Sequence, residues 1–224
     1  MEAALVKKPS YRVLLNEDWD LEDLYEYPHA LGQCYSFIYC LDSELNPRDQ
    51  KRIDNAIREY PWRGGYSYVN MYTVLKNQVP ARDQPKIQSI QKASPGWLDL
   101  LLNINVVQTV AAAVATLAGA AITAVGAYKK CHSMIMTLNA ERRKRQVDNL
   151  QKSAAEIKAL NNLCNELSKL LGFKSLEQLH QKTGDPEVSL KILMAHYRRL
   201  SVLAEYTKNG KATLTPRPSN RKHR

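Results

Sequence analysis

The side chains able to do acid–base, metal or nucleophilic chemistry are dispersed along the chain. His29, His132, His180, His196 and His223 stand apart, none at metal-ligand or triad spacing with a carboxylate or a cysteine. His29 reads as a partly buried structural residue after Pro28, and His196 as part of a helix surface. Cys34, Cys40, Cys131 and Cys164 form no CxxC or Cys/His pattern, so neither a zinc site nor a disulfide framework is expected. Asp18, Asp20, Glu22, Asp23 and Glu26 resemble a metal cluster, but they sit at the start of a helical pattern, where acids favour the helix dipole. Trp62-Arg63-Gly64-Gly65 has the look of a ligand loop, yet Gly-Gly more often marks a tight turn and matches neither a dinucleotide fingerprint nor a P-loop. The sequence therefore predicts no catalytic residue, metal or cofactor, and a non-enzymatic role.

A different chemistry is written between Leu100 and Tyr128, which hold 29 residues and no charge. A helix needs about 20 residues to cross the hydrocarbon core of a bilayer. Within Val106–Tyr128 there are nine Ala and seven Val, Leu or Ile, so the hydropathy is borderline for a span. Ala111, Ala115, Gly119, Thr123 and Ala127 form an i, i+4 line of small residues, the spacing that lets helix backbones approach closely in lipid. Asn105, Gln108, Thr109 and Thr116 add polar groups beside that line, while Val107, Val110, Val114, Leu117 and Val125 lie elsewhere around the helix. Lys129 and Lys130 follow at once, and Arg142, Arg143, Lys144 and Arg145 come about three turns later. These six cations are the candidate contacts for lipid headgroups or another anion. The competing reading makes the Ala-rich stretch the buried central helix of a soluble bundle.

A single span would put the two ends of the chain on opposite sides of a membrane. The basic flank predicts a cytosolic C-terminal side. Met1–Ser10 lacks the apolar run of a secretory signal, which keeps the N-terminal segment in the cytosol as well. Two arrangements reconcile these expectations. The stretch bends near Gly119 into a shallow re-entrant loop, or it is sheltered in a soluble form and inserts when triggered.

The elements that must position these residues divide by composition. Of the chain's 224 residues, 1–99 carry 12 Lys/Arg and 14 Asp/Glu, and 100–224 carry 20 and 8. Thirteen of the 17 aromatics lie before residue 100. The pattern predicts a mainly α protein in four parts: a small α+β domain over 1–95, the hydrophobic helix over 96–130, a helical hairpin or bundle over 131–208, and a disordered basic tail over 209–224.

In the first part Tyr11–Leu15 reads as a strand, and Lys86–Lys92 as its possible partner in a two-stranded ribbon. The three-residue spacing of Ile87 and Ile90 does not suit strand alternation. Asp20–Leu41 reads as a helix started, kinked or split by Pro28. Asn46-Pro47 caps a second helix running to Tyr60, and Tyr66–Val79 is a third. From Trp97 onward almost only helix is expected. Cys131–Leu171 is a long amphipathic, coiled-coil-like run with its seam on Val147, Leu150, Ala154, Ile157, Leu160, Cys164, Leu167 and Leu171. Ser175–Lys182, with a Ser175/Gln178 capping box, and Pro186–Tyr206 complete the helices.

The functional expectation is a membrane-associated, self-assembling protein on the cytosolic face of the cytoplasmic membrane. Its N-terminal domain would dock a protein partner, and a membrane-perturbing effector of bacterial defence or a toxin is one such role. The alternative is a cytoplasmic helical scaffold or adaptor whose basic half holds an acidic partner. Nucleic acid is the less favoured such partner, because no helix-turn-helix or zinc-finger spacing is present.

Overall fold

The computed structural model describes residues 10–42, 44–60, 71–93, 95–147 and 150–214. The protein is mainly helical, with eight helices and a small four-stranded antiparallel sheet among the described residues. The expected Trp62–Gly65 turn, the first turn of the third helix and the tail from residue 215 lie outside them.

The sheet is built from β1 (Ser10–Leu15), β2 (Lys86–Gln91), β3 (Gly96–Leu101) and β4 (Ala212–Leu214), in the order β2-β3-β1-β4. Tyr11, Val13 and Leu15 alternate inward along β1, as a half-buried strand requires. The partner of β1 is β3, a strand in the segment read as the approach to a helix, and β2 pairs only with β3. The segment after Asn209-Gly210, read as disordered from its start, forms β4 on the other edge of β1.

The irregular spacing in β2 also has a cause. A bulge between Ile87 and Ser89 shifts the register, so Ile87 faces Leu100 and Ile90 faces Leu98. Both isoleucines then share one face. Gly96 starts β3 because a Cβ there would lie 2.7 Å from the Gln91 carbonyl oxygen.

The helices are α1 (Leu21–Leu41), α2 (Pro47–Arg58), α3 (Met71–Gln78), α4 (Ile104–Gly119), α5 (Ala121–Arg145), α6 (Ala154–Leu170), α7 (Leu176–Thr183) and α8 (Pro186–Lys208). Pro28 does not split α1. The carbonyl that its missing N–H leaves over belongs to Leu24, an exposed residue that water reaches. The acids before α1 work as a cap: Asp20 and Asp23 form a capping box.

The expected Cys131–Leu171 run is two helices. α5 stops at Gln146, which takes a left-handed conformation, and α6 restarts at a Ser153/Glu156 capping box. Val147, Ala154 and Ile157 of the expected seam are exposed, while Leu160, Cys164, Leu167 and Leu171 are buried. Ser175 makes no side-chain cap on α7. Instead the Asp42 carboxylate accepts the Lys174 and Ser175 N–H groups.

The centre of the molecule is α8, which packs against α1, α4, α5, α6, α7 and β4. Every residue from Glu187 to Tyr197 is buried. His196, read as helix surface, is fully enclosed there, its ring stacked on Phe37 at 3.7 Å between centroids. Burial holds its pKa down at about 3, so the ring is neutral. His29, read as partly buried, is exposed and stacks on Tyr25.

Candidate functional site

The groups with classical site chemistry are committed elsewhere. Tyr206 donates to Asp23 and Glu26, and Lys211 pairs with Asp23 at 2.5 Å. Asp20, Asp23 and Glu26 are thus spent on a cap and a tie to the segment after α8, while Asp18 and Glu22 are exposed. Among the described residues no group of His, Cys, Asp and Glu could hold a metal ion. All four cysteines are buried, and burial pushes their thiols up, which keeps them protonated and unreactive. His180 Nδ1 meets Ser189 Oγ at 2.9 Å, but Ser189 is fully enclosed and also shared with Thr183. That contact braces the turn into α8. A groove of about 420 Å³ between α2 and α7 is lined by Gln50, Asp54, Arg58, Gln178, Gln181 and Lys182. Its one carboxylate is already paired with Lys182 at 2.6 Å, leaving no free acid–base pair in the lining.

The uncharged stretch is the feature with an open surface. It begins in β3, passes the Asn103 cap, and runs through α4 into the first two turns of α5. Asn103 Oδ1 accepts the Asn105 and Val106 N–H groups, which fixes the start of α4. Val106, Val107, Val110, Ala113, Val114 and Leu117 form its buried side, against α8 and α1. At Ala120 the helix turns by 96° into α5. α5 then holds on through a narrow stripe of Ala124, Ala127, Cys131, Ile135 and Leu138. Tyr128 stacks on Tyr197 of α8 at 4.7 Å, pinning α5 where the uncharged stretch ends.

The bend displays one side of the stretch to solvent. Ala112, Ala115, Thr116, Gly119, Thr123 and Gly126 are exposed, and Ile122 stands at the apex with 92% of its surface accessible. Val125, 43% exposed, lies beside it on the same face. No protein family, curated protein or solved structure matches this chain.

The small-residue line expected from sequence is divided by the corner. Ala111 and Ala127 are buried inside the chain, while Ala115, Gly119 and Thr123 are exposed, on two helices at nearly a right angle. Thr109 and Thr116 donate to carbonyls of their own helix, Asn105 and Ala112. No single helix among the described residues is long and apolar enough to cross a membrane; α4 and α5 pass that test only as a bent pair.

The six candidate cations also separate. Lys129 is exposed just past the corner, and Lys130 reaches Glu166 on α6 at 3.1 Å while staying largely exposed. Arg143, Lys144 and Arg145 are exposed at the far end of α5. Arg142 is different. Its guanidinium grips the Glu187 carboxylate with both nitrogens, beside Lys191 at 2.8 Å and Lys152 at 3.3 Å. Burial alone would raise the Glu187 pKa, but hydrogen bonds from Arg142 and Lys191 overcome it and hold the carboxyl down at about 2. Arg142 thus anchors α5 to α8.

Ile122 was the residue that sequence reasoning passed over. It is a large aliphatic three residues after Gly119, beside the line of small residues, but nothing in the local pattern says that this side faces solvent.

Proposed function

We propose that this protein binds membrane surfaces and that the α4–α5 corner is its lipid-contacting element. The observation that carries the reading is Ile122, 92% exposed at the apex of a helical corner with no charge between Asp99 and Lys129. An exposed aliphatic side chain set among small uncharged residues costs solubility and gives nothing to this fold. In the headgroup region it gains burial.

The spacing of the cations supports the same reading. Lys129 lies seven residues beyond Ile122, about 10 Å along the helix. Interfacial helices sink their apolar side by about 5–10 Å, so a corner at that depth sets Lys129 and Lys130 at the level of anionic headgroups. Each such lysine contributes about 1 kcal/mol near an anionic leaflet. Ile122 adds about 2 kcal/mol on full transfer from water, and the 43% of Val125 that is exposed adds about 1 kcal/mol. The sum suits reversible attachment to the cytosolic face of a membrane.

The test is co-sedimentation with vesicles. Binding to phosphatidylcholine vesicles containing phosphatidylserine is expected, weakening with salt, and Ile122→Asp should reduce it at least tenfold without unfolding the protein. Equal binding of Ile122→Asp would contradict the reading. A second reading is favoured by Arg143, Lys144 and Arg145, which stand exposed at the end of α5. It makes the protein a scaffold whose basic helix end docks an acidic partner. Under that reading Ile122→Asp is silent, and reversing those three charges abolishes binding.

A further inference from the structure

We infer that the α4–α5 corner is a hinge, and that on an anionic bilayer it opens into one continuous helix. This rests on the membrane-binding reading and adds a change of shape to it. The bend is not imposed by any residue at the break. Gly119, Ala120 and Ala121 include no proline, and Ala120 has a negative φ of −112°. Helical hydrogen bonds continue up to the break and resume after it. The Ala120 N–H donates to the Thr116 carbonyl, and the Ala124 N–H to the Ala120 carbonyl. Only the N–H groups of Ala121, Ile122 and Thr123 lack a backbone partner, and α5 has no side-chain cap to serve them. Water satisfies these groups at an exposed corner; lipid cannot. Straightening would give each one a carbonyl of α4.

On a straight helix at 100° per residue, Ala112, Thr116, Gly119, Thr123 and Gly126 fall within about 80° of one another; the buried residues of α4 centre on the opposite side and those of α5 about 70° round from them, with Ala127 next to Thr116. A Cβ added at Gly119 or Gly126 would meet nothing within 4 Å. The bent fold thus has no packing use for either glycine, whereas a straight helix places both on its small-residue side, where another helix could approach. Opened, the uncharged residues 104–128 would extend about 37 Å, enough to cross a hydrocarbon core of about 30 Å. What keeps the hinge closed in water is the stripe from Ala124 to Leu138 and the Arg142–Glu187 pair.

The experiment is a spin-label distance measurement on the full chain carrying Ala112→Cys and Ser133→Cys, both exposed positions. With the 96° bend the label-bearing backbones should stand about 22 Å apart, and about 32 Å apart in a straight helix. The shorter distance is expected in water and the longer on phosphatidylserine-containing vesicles. Thr123→Pro removes an N–H that is unbonded in the bent form and blocks the straight one. It should keep the short distance on vesicles while still co-sedimenting. Ala120→Asn, which supplies the missing cap, should shift the populations the same way. A short distance in the parent while it co-sediments would overturn the hinge and leave the membrane reading standing. Failure to co-sediment would overturn both. Opening of the Thr123→Pro protein to the longer distance would overturn the hinge.

Discussion

Two helical regions of this protein reverse the usual link between charge and burial. α8 carries Glu187, Lys191, His196, Arg198 and Arg199, yet 15 of its 23 residues are buried and it is the axis of the fold. The stretch through α4 and the start of α5 carries no charge at all, yet one side of it faces water, with Ile122 standing clear. Position among neighbours decides the difference. α8 is ringed by five helices and a strand, so its charges must be matched where they lie. Glu187 binds Arg142 and Lys191, and His196 stays neutral against Phe37. α4 and α5 lie on the periphery, where a missing charge relieves no burial cost and leaves an apolar corner in solvent.

The largest test of that contrast is Glu187→Ala. It leaves Arg142 and Lys191 without their shared carboxylate in a buried site, so a loss of about 3–5 kcal/mol in denaturant unfolding is expected. A loss under about 1 kcal/mol would mean that α8 does not depend on matched charge.

The next test is pH. His196 holds a pKa of about 3 in the fold against 6.5 when exposed, so the unfolded chain takes the proton first as pH falls. Its contribution is intact above pH 6.5 and is lost progressively from 6.5 down towards 3, amounting to about 2 kcal/mol by pH 5. The Glu187 carboxyl, held at about 2, adds a second loss as pH falls from about 4.5 towards 2. His196→Phe keeps a ring on Phe37 and should flatten stability between pH 5 and 7. An unchanged slope would place the titration elsewhere.

On the corner the effects are small. Gly126→Ala has open space for its methyl group and should stabilise α5 by about 0.5–1 kcal/mol, read as a raised Tm. A drop in Tm would mean that the space beside Gly126 is filled.

Much of this architecture was legible in the residues, and the remainder was hidden for physical reasons. Asn46-Pro47, Asp185-Pro186 and Gly172 mark helix ends by local chemistry, and α2, α6 and α8 start or stop beside them. Strand β3 was not legible because Trp97–Leu101 is apolar on both sides of the pleat apart from Asp99. Asp99 is kept on the outer face by Arg12, two hydrogen bonds of 2.7 Å that no local pattern announces. The break between α5 and α6 was signalled by Ser153-x-x-Glu156 and masked by a longer helical period running through it. The burial of His196 depends on Phe37, 159 residues away in sequence. The same holds for Arg142, whose partner Glu187 is brought to it only by packing α5 along α8. At the corner the absence of charge was legible and the choice of exposed side was not, because Ala, Gly and Thr suit water, protein and lipid alike.

The most direct measurement of the lipid-contact claim places an environment-sensitive fluorophore at Ile122→Cys and, as a control, at Glu177→Cys on α7. With phosphatidylserine-containing vesicles a blue shift and a rise in intensity are expected at position 122 and little change at 177. No response at 122, or an equal response at both positions, would contradict that claim.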